Sequence, residues 1–133
     1  MNVVDSCGWL EYIADGSNAP FFEVAILDES QLLVPSIVIF EVVKRLMILN
    51  EHKAAQSFVS VMQRCRVEHL APSELARAAE MALKYKLAMA DAIIWQTATL
   101  YQAQLFTQDA DLNGLPGVQY KAKAPPTSKA PTP

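Results

Sequence analysis

Two carboxylate side chains stand inside an otherwise apolar stretch of the sequence, residues 86–112. Asp91 lies at the head of an Ala-rich segment with helical character, and Asp109 follows a short β-prone run, residues 105–107. A helix that packs on the next strand brings its first turn near the far end of that strand, so the two acids can meet in space. Because desolvating a charged acid is costly, both need an explanation. Either Asp91 caps a helix and Asp109 caps a turn, or the two acids together bind a metal ion.

Two further acids occupy positions that suit a binding site. Asp5 directly follows a short apolar run, residues 2–4, and open α/β sheets bind ligands at the carboxyl ends of their strands. A helix cap or an Asx turn is an equally good interpretation of Asp5. Glu41 interrupts an apolar helical segment, with Lys44 and Arg45 on the same face. Glu41 is then either a ligand with a basic neighbour for a phosphate, or part of a solvated stripe in which it pairs with Arg45.

Composition limits the classes of protein that the sequence can belong to. With 133 residues the chain is long enough for one domain with a sizeable core. The net charge of −3 lacks the basic footprint that nucleic-acid-binding proteins carry. A metal ion held by clustered acids would supply positive charge toward a phosphate substrate.

The sequence also predicts a cytoplasmic location. Cys7 and Cys65 lack metal-site spacing, so we expect two reduced, buried thiols. The first ten residues lack the basic and apolar regions of a signal peptide. No apolar run reaches the roughly 18–20 residues of a membrane span, so no membrane association is expected.

Strand-like and helix-like segments alternate along the chain. We expect strands at residues 2–4, 31–34, 67–70, 105–107 and 118–121, and helices between them. Ser6 is expected to cap the first helix, and Ser36 a long third helix. The alternation predicts an α/β fold with three α/β/α layers and a central, mainly parallel sheet over residues 1–121. Residues 122–133 are Pro-rich without a large apolar side chain, which predicts a disordered tail.

Two local patterns carry less weight. Residues 109–114 match the first half of an EF-hand calcium loop, but its twelfth position is Tyr120 instead of a bidentate Glu, so we reject a calcium loop. Lys84 and Lys86 precede Asp91 and are candidate phosphate contacts, although an ordinary basic helix end explains them better.

The acids in their order along the chain resemble those of the PIN-domain ribonucleases, specifically the VapC-like toxins of type II toxin–antitoxin systems. The resemblance runs from residue 2 to about residue 121 and rests on the set of motifs Val-Val-Asp-Ser, Phe-Glu-Val, Ala-Asp-Ala and Thr-Gln-Asp. It implies that Mg²⁺ or Mn²⁺ is bound by four acids, Asp5, Glu41, Asp91 and Asp109. It makes Asp111 a possible further ligand, and matches Ser6 and Thr107 to the hydroxyl residues of the family motifs.

The resemblance further implies a metal-dependent endoribonuclease whose RNA products carry a 3′-hydroxyl and a 5′-phosphate. Its expected partners are RNA, a cognate antitoxin protein and a second copy of the chain. The apolar second and third helices exceed the needs of one core, which predicts a homodimer interface and an antitoxin groove. The residues expected there are Phe21, Phe22, Leu46, Met47 and Ile48.

Two other functions remain open. A receiver-like phosphoacceptor domain also places acids at strand ends, but it needs a lysine after a late strand and does not explain Glu41 within a helix. A non-catalytic interaction module could keep the fold without turnover, and metal-dependent RNA cleavage would distinguish it from an enzyme.

Overall fold

A computed structural model describes residues 1–125 as one α/β domain. The strands are β1 (Asn2–Val4), β2 (Leu33–Pro35), β3 (Arg66–Glu68), β4 (Gln104–Thr107) and β5 (Val118–Tyr120). The helices are α1 (Ser6–Ile13), α2 (Ala19–Ile26), α3 (Ser36–Ile48), α4 (His52–Gln63), α5 (Pro72–Tyr85) and α6 (Met89–Leu100). Short 3₁₀ turns occupy Glu29–Gln31 and Ala110–Leu112. In this part of the chain no helix combines the length and the apolar character that crossing a membrane requires.

Every strand pairing in the described residues is parallel. One ladder has the order β1-β4-β5, the other pairs β2 with β3, and a bridge between Asn2 and Leu32 joins the two. This confirms the predicted three-layer α/β/α fold with its mainly parallel sheet. The predicted bounds of β2 and β3 were wrong by one or two residues, because Pro35 forms the last residue of β2, where sheet pairing ends.

The core forms where the helices cover the middle of the sheet. Val3, Val4 and Leu105 on the two central strands are fully buried, as expected for strands covered on both faces. Helix α1 lies unusually close to β1 and α2. A Cβ atom at Gly8 would come within 2.6 Å of the side chains of Phe22 and Val4. Position 8 therefore admits only glycine unless α1 moves.

The caps of two helices differ from the expectations. Asp5, and not Ser6, is the N-cap of α1, since its carboxylate accepts a hydrogen bond from the Gly8 N–H. Ser6 is already helical, and its hydroxyl group points to another helix. Asp91 caps nothing, because the N-cap of α6 is Ala88 and Asp91 lies in the first helical turn. Capping alone therefore does not explain Asp91.

The predicted apolar interface was partly wrong. Phe22 is fully buried and Leu46 is 3% exposed, while Phe21 packs on Phe106 with ring centroids 5.5 Å apart. Met47 and Ile48 are exposed, as expected. Both helices are apolar on most sides, so the sequence pattern did not reveal which face points inward.

The predicted tail lies mostly outside the described residues. Residues 122–125 are exposed and belong to no helix or strand. The Ala122 carbonyl nevertheless accepts a 2.9 Å hydrogen bond from the side chain of Asn18, so the chain stays attached to the domain at least this far.

Candidate metal centre

Parallel pairing brings the first and last predicted acids to the same edge of the sheet. Asp5 comes directly after β1, and Asp109 lies just beyond the end of β4. The Asp5 N–H donates to the Phe106 carbonyl at 3.2 Å, which extends the ladder by one residue. Two acids that are 104 positions apart in the sequence therefore leave the sheet side by side.

The Thr107 hydroxyl group connects these two acids. It donates to one carboxylate oxygen of Asp5 at 2.5 Å and accepts from the backbone N–H of Asp109 at 2.9 Å. Thr107 is fully buried. The Thr-x-Asp motif thus has a physical basis, because one hydroxyl group serves as both donor and acceptor and fixes the two acids relative to each other.

Asp91 of helix α6 and Asp111 of the turn after β4 form a compact triad with Asp109. Asp91, Asp109 and Asp111 each offer one carboxylate oxygen, and these three atoms lie within 4.8 Å of one another. Asp109 also accepts a 2.9 Å hydrogen bond from the Asp111 N–H, so the turn after β4 fixes their relative position. Asp111, the least supported ligand on sequence grounds, is thus part of the tightest cluster.

Asp5 and Glu41 flank this triad without belonging to it. Glu41 accepts a 2.6 Å hydrogen bond from the Ser6 hydroxyl, which ties α3 to the start of α1. The charges of Asp5 and Glu41 both act on Asp91 and raise its pKa. No ion pair joins Glu41 to Arg45 anywhere in residues 1–125, so the interpretation of Glu41 as half of a helix-surface ion pair is wrong.

Burial and mutual repulsion make these acids unusually weak. Burial, followed by the charge of Asp109 and a hydrogen bond to it, raises the pKa of Asp91 to about 7. Burial also raises the pKa of Asp5 to about 6, although hydrogen bonds from Thr107 and Gly8 work in the opposite direction. The cluster is therefore unstable toward carrying its full negative charge unless a cation joins it.

The described residues supply no such cation. Their ion pairs within 4.0 Å are Arg64–Glu29 and Arg66–Glu68, which involve none of the clustered acids. Closely spaced carboxylate oxygens without a basic partner fit a hard divalent cation such as Mg²⁺ or Mn²⁺, which prefers oxygen ligands. The donor set thus fits the metal ion that the sequence predicted.

The family assignment follows from a comparison of the sequence with family models. The PIN domain model matches residues 3–118, which is most of the chain. The chain belongs to the PIN domain family. This confirms the predicted resemblance and excludes the receiver-like alternative. The comparison with curated protein sequences found no match.

Solved structures with the same PIN fold include toxins. A toxin–antitoxin complex from Klebsiella pneumoniae superposes with a TM-score of 0.73 at 21% identity, covering 90% of this chain and 96% of the other. VapC20 of Mycobacterium tuberculosis, a toxin that cleaves the sarcin–ricin loop, gives 0.71 at 18% identity, covering 84% and 92%. VapBC2 of Rickettsia felis, bound to promoter DNA, gives 0.68 at 14% identity, covering 92% and 98%. The present PIN domain thus has a VapC-like fold.

The basic residues that the sequence places near the acids form no ion pair with them in the described part of this PIN domain. The Lys44 ammonium lies 6.0 Å from the ring of Phe40, on the outer face of α3. The Lys84 ammonium lies 5.2 Å from the ring of Tyr85. Lys86 ends α5 in a left-handed conformation with φ of 57°. As favoured from the sequence, Lys84 and Lys86 form an ordinary basic helix end.

The sequence did not predict a polar network that lies beside the PIN-domain acids. The Asn18 side chain is 4% exposed and donates to Gln108 at 3.0 Å and to the Ala122 carbonyl at 2.9 Å. The Asn18 N–H donates to Glu11 at 2.9 Å. The sequence shows Asn18 only as a turn residue before a helix start. The one feature of the sequence that could have indicated the network is Gln108, a long polar side chain between the motif residues Thr107 and Asp109.

Proposed function

We propose that this PIN domain is a Mg²⁺- or Mn²⁺-dependent endoribonuclease, the toxin of a toxin–antitoxin pair. The observation that carries the proposal is the triad of Asp91, Asp109 and Asp111. Their oxygens converge at the edge of a VapC-like fold, and residues 1–125 provide no ion pair to them. Similar folds occur in a toxin that cleaves the sarcin–ricin loop and in two toxin–antitoxin assemblies. We assign this activity to the cytoplasm, where RNA and an antitoxin meet the chain.

In this proposal the acids have different roles at the metal site. Asp91, Asp109 and Asp111 hold the divalent ion, with Asp5 and Glu41 as the flanking acids of the predicted quartet. Thr107 holds Asp5 and the backbone of Asp109 in place, and Ser6 does the same for Glu41. When bound, the ion offsets the negative charge of a phosphate group and lowers the pKa of water.

The reaction is the hydrolysis of an RNA phosphodiester. The oxygen of a water molecule adds to phosphorus, the bond from phosphorus to the 3′ oxygen breaks, and this oxygen leaves as a hydroxyl after it takes up a proton. The products carry a 3′-hydroxyl and a 5′-phosphate. No Ser or His nucleophile is required, since water attacks directly. Burial, together with the charges of the neighbouring acids, raises the pKa values of Asp5 and Asp91, which supports a role for a cation at this site.

Apolar surface supports the proposed protein partners. The outer face of α3 lines an open groove of about 610 Å³ with the residues Ile39, Phe40, Val43, Lys44, Met47 and Ile48. A second groove of about 450 Å³ lies between α5 and α6 and includes Leu83 and Met89. Large exposed apolar patches are typical of protein interfaces. We propose that an antitoxin segment and a second copy of the chain cover these faces.

The decisive experiment measures cleavage of RNA by the purified protein beside its Asp91→Asn variant. Cleavage should stop in EDTA and return with Mg²⁺ or Mn²⁺, and the variant should remain at background. Induced expression should arrest growth for the wild type only. Full activity in EDTA would disprove a metal mechanism. Absence of cleavage of any RNA pool, together with intact metal binding, would favour the non-catalytic interaction module.

A further inference from the structure

The segment after β5 runs along the edge of the sheet where the acids lie. Since all strands are parallel, the residues that follow β1, β4 and β5 leave the sheet at the same edge. These residues are Asp5, Asp109 and the segment 121–123, respectively. The Lys121 N–H donates to the Thr107 carbonyl at 3.0 Å. The segment therefore stays paired with β4 up to the residue whose hydroxyl group holds Asp5.

Asn18 clamps the next residue of this segment. Its amide nitrogen donates both to the Ala122 carbonyl and to the Gln108 side chain, and Gln108 immediately precedes Asp109. Asn18 and Gln108 are 4% and 7% exposed. A buried amide that loses one partner is left with an unsatisfied polar group, so this arrangement resists change. The Asn18 amide group thus joins Ala122 to Gln108, the residue that precedes the proposed metal ligand Asp109.

Lys123 directly follows the clamped Ala122, at the edge of the sheet where the acids lie. It is exposed, and across residues 1–125 it forms no ion pair within 4.0 Å. No carboxylate of the described residues therefore engages its ammonium group.

We propose that Lys123, positioned by Asn18, binds a phosphate group of the RNA beside the metal centre. This inference rests on the proposed function and names the residue that compensates for the acidic character of the chain. An ammonium group on a flexible stem, one residue beyond the clamped Ala122 and in no ion pair within residues 1–125, is available for an anion. The divalent ion and Lys123 would then contact neighbouring phosphates from two sides. Asn18 is a positioning residue in this arrangement.

The test is the salt dependence of RNA binding in an Asp91→Asn background, which removes cleavage and one repelling charge. The probe is a short, fluorescein-labelled single-stranded RNA of random sequence, followed by fluorescence anisotropy. Adding Lys123→Ala should weaken binding severalfold at low salt and reduce the slope of log K against log salt by about 0.7, the value for one lost phosphate contact on a single strand. Lys123→Arg should restore the slope. Lys53→Ala is the control, because Lys53 is exposed on α4, which packs against the opposite strand, β3.

The positioning role of Asn18 has its own variant. Asn18→Ala should reduce the slope of log K against log salt by the same amount as Lys123→Ala, although Lys123 is intact. A purely structural role of Asn18 would not produce this reduction. If this variant does not fold, Lys123→Ala alone decides the proposal, because its exposed side chain should leave the melting temperature unchanged.

Two results would overturn the inference while leaving the proposed nuclease standing. One is a wild-type protein that cleaves RNA with Mg²⁺ while Lys123→Ala keeps the same KM and the same salt slope. The other is tighter RNA binding by Lys123→Ala, which would make the lysine an obstacle. If neither the wild type nor the Asp91→Asn protein binds or cleaves RNA, both proposals fall together.

Discussion

The two ends of the sheet treat acidic side chains in opposite ways. Near β2 and β3, Glu29 contacts Arg64 at 2.8 Å and Glu68 contacts Arg66 at 2.7 Å. A hydrogen bond from Arg64 lowers the pKa of Glu29, and a hydrogen bond from Arg66 lowers that of Glu68. These partly exposed acids are charged at physiological pH and have partners within the chain.

Near β1 and β4 the acids lie next to one another, and none of residues 1–125 forms an ion pair with them. Burial and neighbouring charges raise the pKa of Asp91 to about 7, and burial raises that of Asp5 to about 6. Water can hydrate the charges of the partly exposed glutamates, yet those are the acids that have arginines as partners. The more buried aspartates, which need a cation most, have none within the described chain. Such an arrangement lowers stability, and the proposed metal site would account for it.

Neutralising one acid at each end should give the largest contrast. Asp91→Asn should reduce RNA cleavage by about 100-fold or more, since electrostatic stabilisation of the transition state is lost. Without metal the variant should be as stable as the wild type, or more stable by on the order of 1 kcal/mol, because a repelling charge is gone. With Mg²⁺ the order should reverse, since the wild type gains binding free energy.

The matched control is Glu29→Gln, the same chemical change at the other end of the sheet. It should retain cleavage and the full rise of melting temperature with Mg²⁺. Thermal melting of the three proteins with and without Mg²⁺ measures both effects. Equal metal responses in Asp91→Asn and the wild type would show that Asp91 is not a ligand.

Removing the hydroxyl group between the acids should have the next largest effect. Thr107→Val keeps the shape of a fully buried side chain but removes a donor to Asp5 and an acceptor for Asp109. We expect a loss of about 2–3 kcal/mol in the free energy of unfolding, because one of the bonds is to a charged group. Urea denaturation measures this loss, and the exposed Thr99→Val serves as control. A loss no larger than that of the control would mean that Thr107 does not hold the acids together.

The pH dependence of the metal-free protein should show the same contrast. Because the pKa of Asp5 rises from 3.8 unfolded to about 6 folded, the native state binds more protons between these values. Unfolding free energy should therefore fall as pH rises through this window and be lowest above it, by on the order of 2–3 kcal/mol at most. Asp91, also raised, adds to the effect.

The comparison that checks this is denaturation in EDTA at pH 4.5 and pH 7.5, with Asp5→Asn beside the wild type. The paired glutamates act in the reverse direction, because their lowered pKa values favour the native state at higher pH. The unfolding free energy of Asp5→Asn should change less between the two pH values than that of the wild type. A wild-type protein whose stability changes between the two pH values in the same way as that of Asp5→Asn would show that Asp5 is not destabilised by its surroundings.

Breaking an exposed pair should have the smallest effect. Arg64→Ala removes the partner of Glu29 on the surface, where solvent and salt screen the interaction. We expect a melting temperature close to that of the wild type and unchanged cleavage. A clear loss of either would mean that the two ends of the sheet are coupled.

The sequence predicted the acids better than their surroundings. Asp5, Asp91 and Asp109 stand out because each is a polar residue next to an apolar strand or helix, and a parallel sheet must then bring the strand ends together. The clamp of Asn18 on Gln108 and Ala122 spans 90 and 104 positions. No local pattern encodes contacts at such separations between ordinary polar residues.

The buried faces of apolar helices were also beyond prediction. In α2 and α3 most positions are apolar, so period and composition fit several orientations equally well. The buried Phe22 lies against Gly8 of α1, where a Cβ atom would come within 2.6 Å of its ring. This contact depends on how three elements pack, which a single segment does not reveal.

The hydrogen bond from Thr107 to Asp5 has a consequence for the folding of the chain during its synthesis on the ribosome. It joins residues 102 positions apart, and the triad needs Asp109 and Asp111 as well. An emerging chain therefore has no assembled centre until β4 has been synthesised and has paired with β1, the slowest kind of contact to form. For nearly the whole of its synthesis the polypeptide would thus lack the proposed nuclease activity, and a cell would have this interval in which to supply the proposed antitoxin.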